Sequence, residues 1–339
     1  MTKTTIYYLI LSCGLLCTTY SCTKSDDDDD DDDYIGNWLA SSDFDGNARS
    51  EAVGFTIGSK TYLSTGATST ERFNDLWEYD VNLRYWTQKA SLPANARNSA
   101  VAFAVNGKGY VGTGYDGTNR LNDFWQYDPA SNQWQQKASF AGSARYDAVA
   151  FSLNNKGYIC AGFDGNYLKD LWEYDPAADT WIQRASLGGS KRSAAMCFVL
   201  NNKAYVASGN NNGSALNDLW MYDAGSDSWT QKRKISDASD ESYDDDYSGI
   251  IRFNGVAFTV DNKAYLTAGE NGSLVATTWE YDDVADQWTQ KTGFEGSPRT
   301  GALAFTLANR AFVLTGRNGS LSYDNMYEFQ PGAEYDEND

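Results

Sequence analysis

Six arginines recur in this chain at matching places: Arg49, Arg97, Arg145, Arg192, Arg252 and Arg299. A guanidinium is a planar fork of donors that meets carboxylate or phosphate at two points, so six of them brought to one mouth would bind anions. Whether they converge depends on the residues downstream of each arginine. An apolar stretch runs to a glycine (Gly66, Gly114, Gly162, Gly209, Gly269, Gly316), and a Trp-x-Tyr-Asp-like element comes next. Five copies add a second tryptophan nine residues later: Trp77/Trp86, Trp125/Trp134, Trp172/Trp181, Trp220/Trp229 and Trp279/Trp288. The sixth has Tyr327 and no tryptophan after it. Trp38, however, precedes Arg49 by eleven residues, the interval that also separates Trp86 from Arg97, Trp134 from Arg145, Trp181 from Arg192 and Trp288 from Arg299. The sixth copy is therefore completed by the start of the chain, as in a closed ring.

Other chemistries are excluded by composition. The 339 residues contain no histidine, which removes Ser-His-Asp and Cys-His nucleophile systems, His-ligated zinc or copper and any histidine pH switch. A formal charge of -19 repels phosphate backbones, so nucleic acid is not an expected partner. The repeats hold only Cys160 and Cys197, on different strands of successive copies where neighbouring copies carry Gly112 and Ala102. Small buried thiols fit that placement better than a disulfide. No catalytic residue, metal ligand or cofactor motif stands out.

The elements that must carry the arginines can be read from the second copy. Residues 98–105 are apolar and small, a strand buried on both faces near the centre of a disc. Asn106-Gly107 is a hairpin turn, and 108–114 is the returning strand. Residues 122–127 alternate as a strand with one buried face, and 133–137 form a polar outer strand with one aromatic anchor. Each copy is thus a four-stranded antiparallel blade. Burying an aromatic side chain is worth about 2–3 kcal/mol, so the blades must stack on one another, and the spacing of 47 to 48 residues between most copies sets six of them around a channel.

The pattern Arg-x3-Ala/Gly-x-x-Phe, Lys-x-Tyr, Thr/Ala/Ser-Gly, Trp-x-Tyr-Asp and a second Trp resembles the kelch repeat over residues 34–329. The resemblance implies an all-β, six-bladed kelch-type β-propeller whose last blade is closed by the N-terminal strand around Trp38. Two departures are visible. The kelch glycine doublet is a single glycine here, as in Thr113-Gly114 and Ala161-Gly162, and Thr278 stands in the fifth copy where others have Asp or Asn.

With strands running up, down, up, down, the loop between the second and third strands shares a face with the link between blades, and the arginines stand on that face. Kelch adaptor proteins use arginines at this position to hold acidic peptides, so the resemblance implies a binding module for a protein, peptide or glycan, with an anionic ligand favoured. The alternative role for the arginines is structural, tying adjacent blades together through carbonyls and local carboxylates; one side chain can do both. The residues after each arginine vary between copies, Tyr146 and Asp147 among them, as an asymmetric site would need, and on the same face the loops Tyr115-Asp116-Gly117 and Phe163-Asp164-Gly165-Asn166-Tyr167 combine aromatic rings with carboxylates in the manner of a sugar-binding surface. A second function implied by the resemblance is a carbohydrate-active enzyme such as a sugar epimerase or mutarotase, for which Glu51, Asp147 and the arginines supply the residue types. The copper-dependent kelch oxidases need histidines and are excluded. One long link, from Trp229 to Arg252, carries an acidic insertion at Asp237, Asp240, Glu241 and Asp244 to Asp246. It reads as a solvated loop, a plug for the arginine face, or a Ca²⁺ ligand set.

The chain begins with Lys3 and the apolar run 6–16, a signal-peptide core too short to span a bilayer. Thr19-Tyr20-Ser21-Cys22 resembles a bacterial lipobox, with Thr19 where the family has Leu, and Cys22 is the lipidation site it implies. The expected organisation is a signal peptide over 1–21, an acidic tether over 22–33, the propeller over 34–329 and an acidic tail over 330–339. A lysine and eight aspartates directly after Cys22 look like the surface-export signal of lipoproteins in Bacteroidetes-type bacteria. The expected location is therefore the outer membrane of a Gram-negative bacterium, cell-surface exposed, with the lipid as the only membrane contact.

Overall fold

A computed structural model describes Met1, residues 34–235 and residues 247–336. Cys22, the aspartate run, the insertion at 237–246 and the last three residues lie outside the described residues. From residue 34 on, the described residues build six four-stranded antiparallel blades. The second blade is typical, with strands Val101–Val105, Lys108–Gly112, Phe124–Asp128 and Gln133–Gln136 from the channel outward. Both turn residues of its inner hairpin take left-handed backbone, Asn106 at φ 51° and Gly107 at φ 71°, as a two-residue turn between twisted strands requires.

The sixth blade is Leu303–Leu307, Arg310–Leu314, Met326–Gln330 and, as its outer strand, Asn37–Ala40, with Trp38 opposite Phe329. Trp38 is buried and packs against Phe258, Phe294 and Phe329. Its indole N–H donates to Thr292 of the fifth blade (3.3 Å), as Trp134, Trp181 and Trp229 donate to Ala90, Ala138 and Ala185 of the blade before each. The chain's start therefore performs the same inter-blade contact as these other outer strands.

The inner strands differ from the sequence expectation in length, with Val101–Val105 against the expected 98–105, and in burial. Val101, Phe103 and Val105 are buried between blades, but Ala102 and Ala104 are only half-buried because they line the central channel. Small side chains there keep the channel open, with cavity volumes of ≈ 160, 240 and 380 Å³ from the arginine-side mouth downward.

Candidate functional site

Two concentric rings of backbone hydrogen bonds build the mouth. In the outer ring each repeat glycine donates to the carbonyl of the next blade's arginine: Gly66 to Arg97, Gly114 to Arg145, Gly162 to Arg192, Gly209 to Arg252, Gly269 to Arg299 and Gly316 to Arg49, at 2.8–3.1 Å. A side chain on Gly114 would fall 2.9 Å from the carbonyl of Asn98, so only glycine fits. The residue before it also takes positive φ, 58° for Thr113 and 62° for Ala161. Both residues of the step are thus left-handed, and the missing second glycine is replaced by residues that bear that strain.

The inner ring consists of the second residue after each arginine. Glu51 donates to Gly301 (2.7 Å), Gly301 to Asn254 (3.0 Å), Asn254 to Ala194 (2.9 Å), Ala194 to Asp147 (2.8 Å), Asp147 to Ser99 (3.1 Å) and Ser99 back to Glu51 (3.0 Å). All six residues have φ between 51° and 62°. A left-handed non-glycine residue costs about 1 kcal/mol, which the closed circuit offsets by satisfying every ring N–H. The circuit also turns the ring side chains toward the axis.

The arginines are not part of that surface. All six are at most 1% exposed. Arg49, Arg97, Arg145 and Arg192 make two-point pairs with Asp75, Asp123, Asp170 and Asp218 at 2.5–2.8 Å. Each also donates to a carbonyl at the end of its blade's second strand, such as Thr65 for Arg49. The same four aspartates accept from Trp77, Trp125, Trp172 and Trp220. Among the described residues Arg252 finds no carboxylate and uses Thr277 and backbone carbonyls, and Arg299 uses Asn325; the fifth copy's replacement for the acid is therefore Thr277, two residues before Trp279, and not Thr278, whose counterparts are apolar. The expectation that Arg49, Arg97, Arg145, Arg192, Arg252 and Arg299 contact a ligand is corrected: side chain to its own blade and backbone to the previous one, they are inter-blade staples.

The remaining candidates do come together. Tyr115 lies 5.6 Å from Tyr146 (ring centroids), Tyr146 5.6 Å from Phe163, and Phe163 5.1 Å from Tyr167. These rings form a half-buried ledge across blades 2 and 3. Two arginines outside the six overlie it: Arg72 at 5.3 Å from the Tyr115 ring, and Arg120 at 5.5 Å from Phe163 and 6.0 Å from Tyr146. Glycine lets Arg72 approach the next blade's loop, since a Cβ on Gly117 would lie 2.8 Å from its guanidinium. The equivalent pairs elsewhere are Ser50/Ala67, Ser193/Asn210, Phe253/Glu270 and Thr300/Arg317, so the aromatic ledge is confined to one side of the mouth.

Asp147 stands at the inner end of the ledge. Burial pushes its carboxyl up to about 7 and the nearby Glu51 carboxylate adds to the rise, against the opposing pull of Ser99 and Arg317. Glu51 accepts from Ser99 (2.8 Å) and Asn98 (2.5 Å) and pairs with Arg317 at 3.4 Å. Arg72, Arg120 and Arg317 were not among the sequence candidates. The signal that could have found them is their position in the loop between second and third strands, which the strand directions put on this face. Cys160 is buried and Cys197 half-buried on the channel wall, both as free thiols.

The family model for the KLHDC2/KLHL20/DRC7 Kelch-repeats domain matches residues 42–189 and 144–316. No curated protein matches the chain. Among solved structures, that of YjhT superimposes with a TM-score of 0.72 at 16% identity, covering 84% of this chain and 95% of its own.

Proposed function

The chain belongs to the kelch-repeat family of β-propellers, and from that premise we propose that it is a binding module, lipid-anchored through Cys22 outside the cytoplasm, that holds an extended protein, peptide or glycan ligand along the ledge. The carrying observation is the one-sidedness of the mouth. Four aromatic rings in continuous contact, with Arg72 and Arg120 stacked on them, occupy the loops of blades 1 to 3. Aromatic faces and guanidinium planes give large contact area at low entropic cost. Nothing in the blade framework requires these rings, since blade 4 closes the same bridge with Ser193 and Asn210.

The test is a glycan and peptide array with the full chain, followed by calorimetry on each hit. Tyr146→Ala is expected to weaken binding at least about tenfold, the scale of a central aromatic contact. Hits that bind the variant as well as the parent would rule the ledge out. The anchor is tested by metabolic labelling with palmitate, which Cys22→Ser should abolish, and surface placement by protease shaving of intact cells.

Glu51, Asp147 and Arg317, gathered beside Ser99 at the channel mouth, favour a second reading as a sugar epimerase or mutarotase. A carboxyl that titrates near neutrality can both give and take a proton. Catalysed anomer exchange by NMR on any sugar hit, lost in Asp147→Asn, supports the enzyme; binding without exchange supports the module.

A further inference from the structure

The aromatic ledge leads into a cavity off the channel axis. Beyond Tyr167, between the loops of blades 3 and 4, lies a pocket of ≈ 390 Å³ bounded by Phe163, Asn166, Tyr167, Lys191, Asn211 and Asn212. That volume is within the range of about 300–1,000 Å³ typical of small-molecule sites. Its walls come from three separate segments. Phe163 to Tyr167 is the loop of blade 3, Lys191 precedes the buried Arg192 in the inter-blade link, and Asn211 and Asn212 form the tip of the hairpin Asn210–Asn211/Ser214–Ala215 in blade 4.

The lining is unusual in kind. One side presents the rings of Phe163 and Tyr167, set edge to face. Asn166, on the same loop as the rings, and Asn211 and Asn212 from blade 4 add three primary amides, each with two donors and one acceptor oxygen, of which Asn212 donates to Asn211 (3.2 Å). Adjacent hydroxyls on a pyranose offer the complementary alternation, while the ring's C–H face is apolar enough to lie on tyrosine. Among the described residues neither Lys191 nor Arg120 has a carboxylate within ion-pair distance, whereas Lys60, Lys108, Lys156, Lys203 and Lys263 are all paired to aspartates on the blades. In a chain of formal charge -19, an exposed unpaired ammonium at the edge of an amide-lined pocket selects a carboxylate.

We propose that this pocket binds one hexuronate unit of a glycan whose neighbouring units lie on the ledge, with the sugar face on Tyr167, hydroxyls on Asn166, Asn211 and Asn212, and the carboxylate on Lys191. The assignment rests on the binding-module reading and gives it a ligand class. Calorimetry on the full-length protein with trigalacturonate and triglucuronate, each against its neutral methyl ester, tests it. At least one acid trimer is expected to bind about tenfold more tightly than its ester, the worth of one charge-assisted hydrogen bond. Lys191→Gln should erase that preference and leave ester binding unchanged, while Tyr167→Ala should weaken both. Lack of binding by either acid, equal binding of acid and ester, or a preference that survives Lys191→Gln overturns the proposal. An array ligand, acidic peptide or glycan, that requires Tyr146 but ignores Tyr167 and Lys191 would keep the ledge and refute the pocket. Array ligands that bind Tyr146→Ala as well as the parent, alongside an acid preference that Lys191→Gln erases, would do the reverse.

Discussion

Blades 1 to 4 and blades 5 and 6 bury the same arginine in different company. In the first group a carboxylate meets both guanidinium nitrogens and also takes the indole N–H of the first tryptophan, as Asp123 does for Arg97 and Trp125. In the second, Thr277 and Asn325 stand in for the acid, and burial lowers Arg252 to about 9 and Arg299 to about 10. Both remain cations at neutral pH. The blade geometry is nonetheless the same, with the glycine-to-arginine carbonyl bond present at every junction. The difference teaches that the fold needs the fork of donors; the positive charge is a burden, neutralised in four blades and tolerated in two.

The sharpest way to break this comparison is to remove an acid and a neutral partner separately. Asp123→Ala leaves Arg97 charged, buried and unpaired, and is expected to cost about 3–5 kcal/mol in urea unfolding. Thr277→Ala removes a hydroxyl that accepts from Arg252 and Trp279 and donates to Gly249 but takes away no counter-ion, and should cost about 1–2 kcal/mol. Equal losses would mean that the carboxylates contribute no more than a hydroxyl.

The fold was legible because its signals are backbone necessities. Glycine before a close carbonyl, Asn-Gly in a hairpin and an indole at fixed spacing each have one structural meaning, and the displacement of Trp38 by a whole repeat comes from counting. The arginines misled because a periodic residue type looks the same whether it faces a ligand or an aspartate. Asp75 accepts from Arg49 and from the indole of Trp77 two residues on, yet that arrangement is visible only once strand ends are placed. Tyr115, Tyr146 and Tyr167 were legible as rim residues from strand direction, but their continuity through Phe163 depends on side-chain orientation across two blades. The pocket needed more still, since Lys191 and Asn212 come from different loops.

A second contrast sets Asp123 against Asp147. Burial pushes the Asp123 carboxyl up, but the hydrogen bond and charge of Arg97 outweigh it and hold the group below its ordinary range. It therefore adds stability above the unfolded carboxylate range, lost as pH falls through its folded value. Asp147 has the opposite sign. With its carboxyl raised to about 7, the folded state binds the extra proton, so its contribution is full below the unfolded value and is lost as pH rises through 7. Asp147→Asn should flatten the fall in melting temperature between pH 5 and pH 8 and raise stability at pH 8 by about 2 kcal/mol, allowing for partial exposure at the mouth. A variant with the parent's pH profile would show that the carboxyl ionises freely.

The smallest expected effect is the most direct test of the idea that charge is a burden. Arg299 donates from one nitrogen to Asn325 at 2.8 Å, and its other terminal nitrogen, Nη2, is buried without a hydrogen-bond partner among the described residues. Aspartate has the shape of asparagine and would place a second oxygen where the amide nitrogen now sits, giving Nη2 an acceptor and Arg299 a counter-ion. Asn325→Asp should therefore stabilise the protein by about 1 kcal/mol, seen as a higher melting temperature at pH 7. The gain should vanish as pH falls through the new carboxyl's folded value. The rings of Tyr323, at 4.4 Å from the guanidinium carbon, and Phe294, at 4.9 Å, are the competing explanation for how blade 6 tolerates the cation. If they already carry the charge, Asn325→Asp will be neutral or harmful and Tyr323→Leu will cost more than about 1 kcal/mol. If the missing carboxylate is the deficit, the aspartate variant gains and the leucine variant in its background loses little, because the ion pair then supplies what the ring face did.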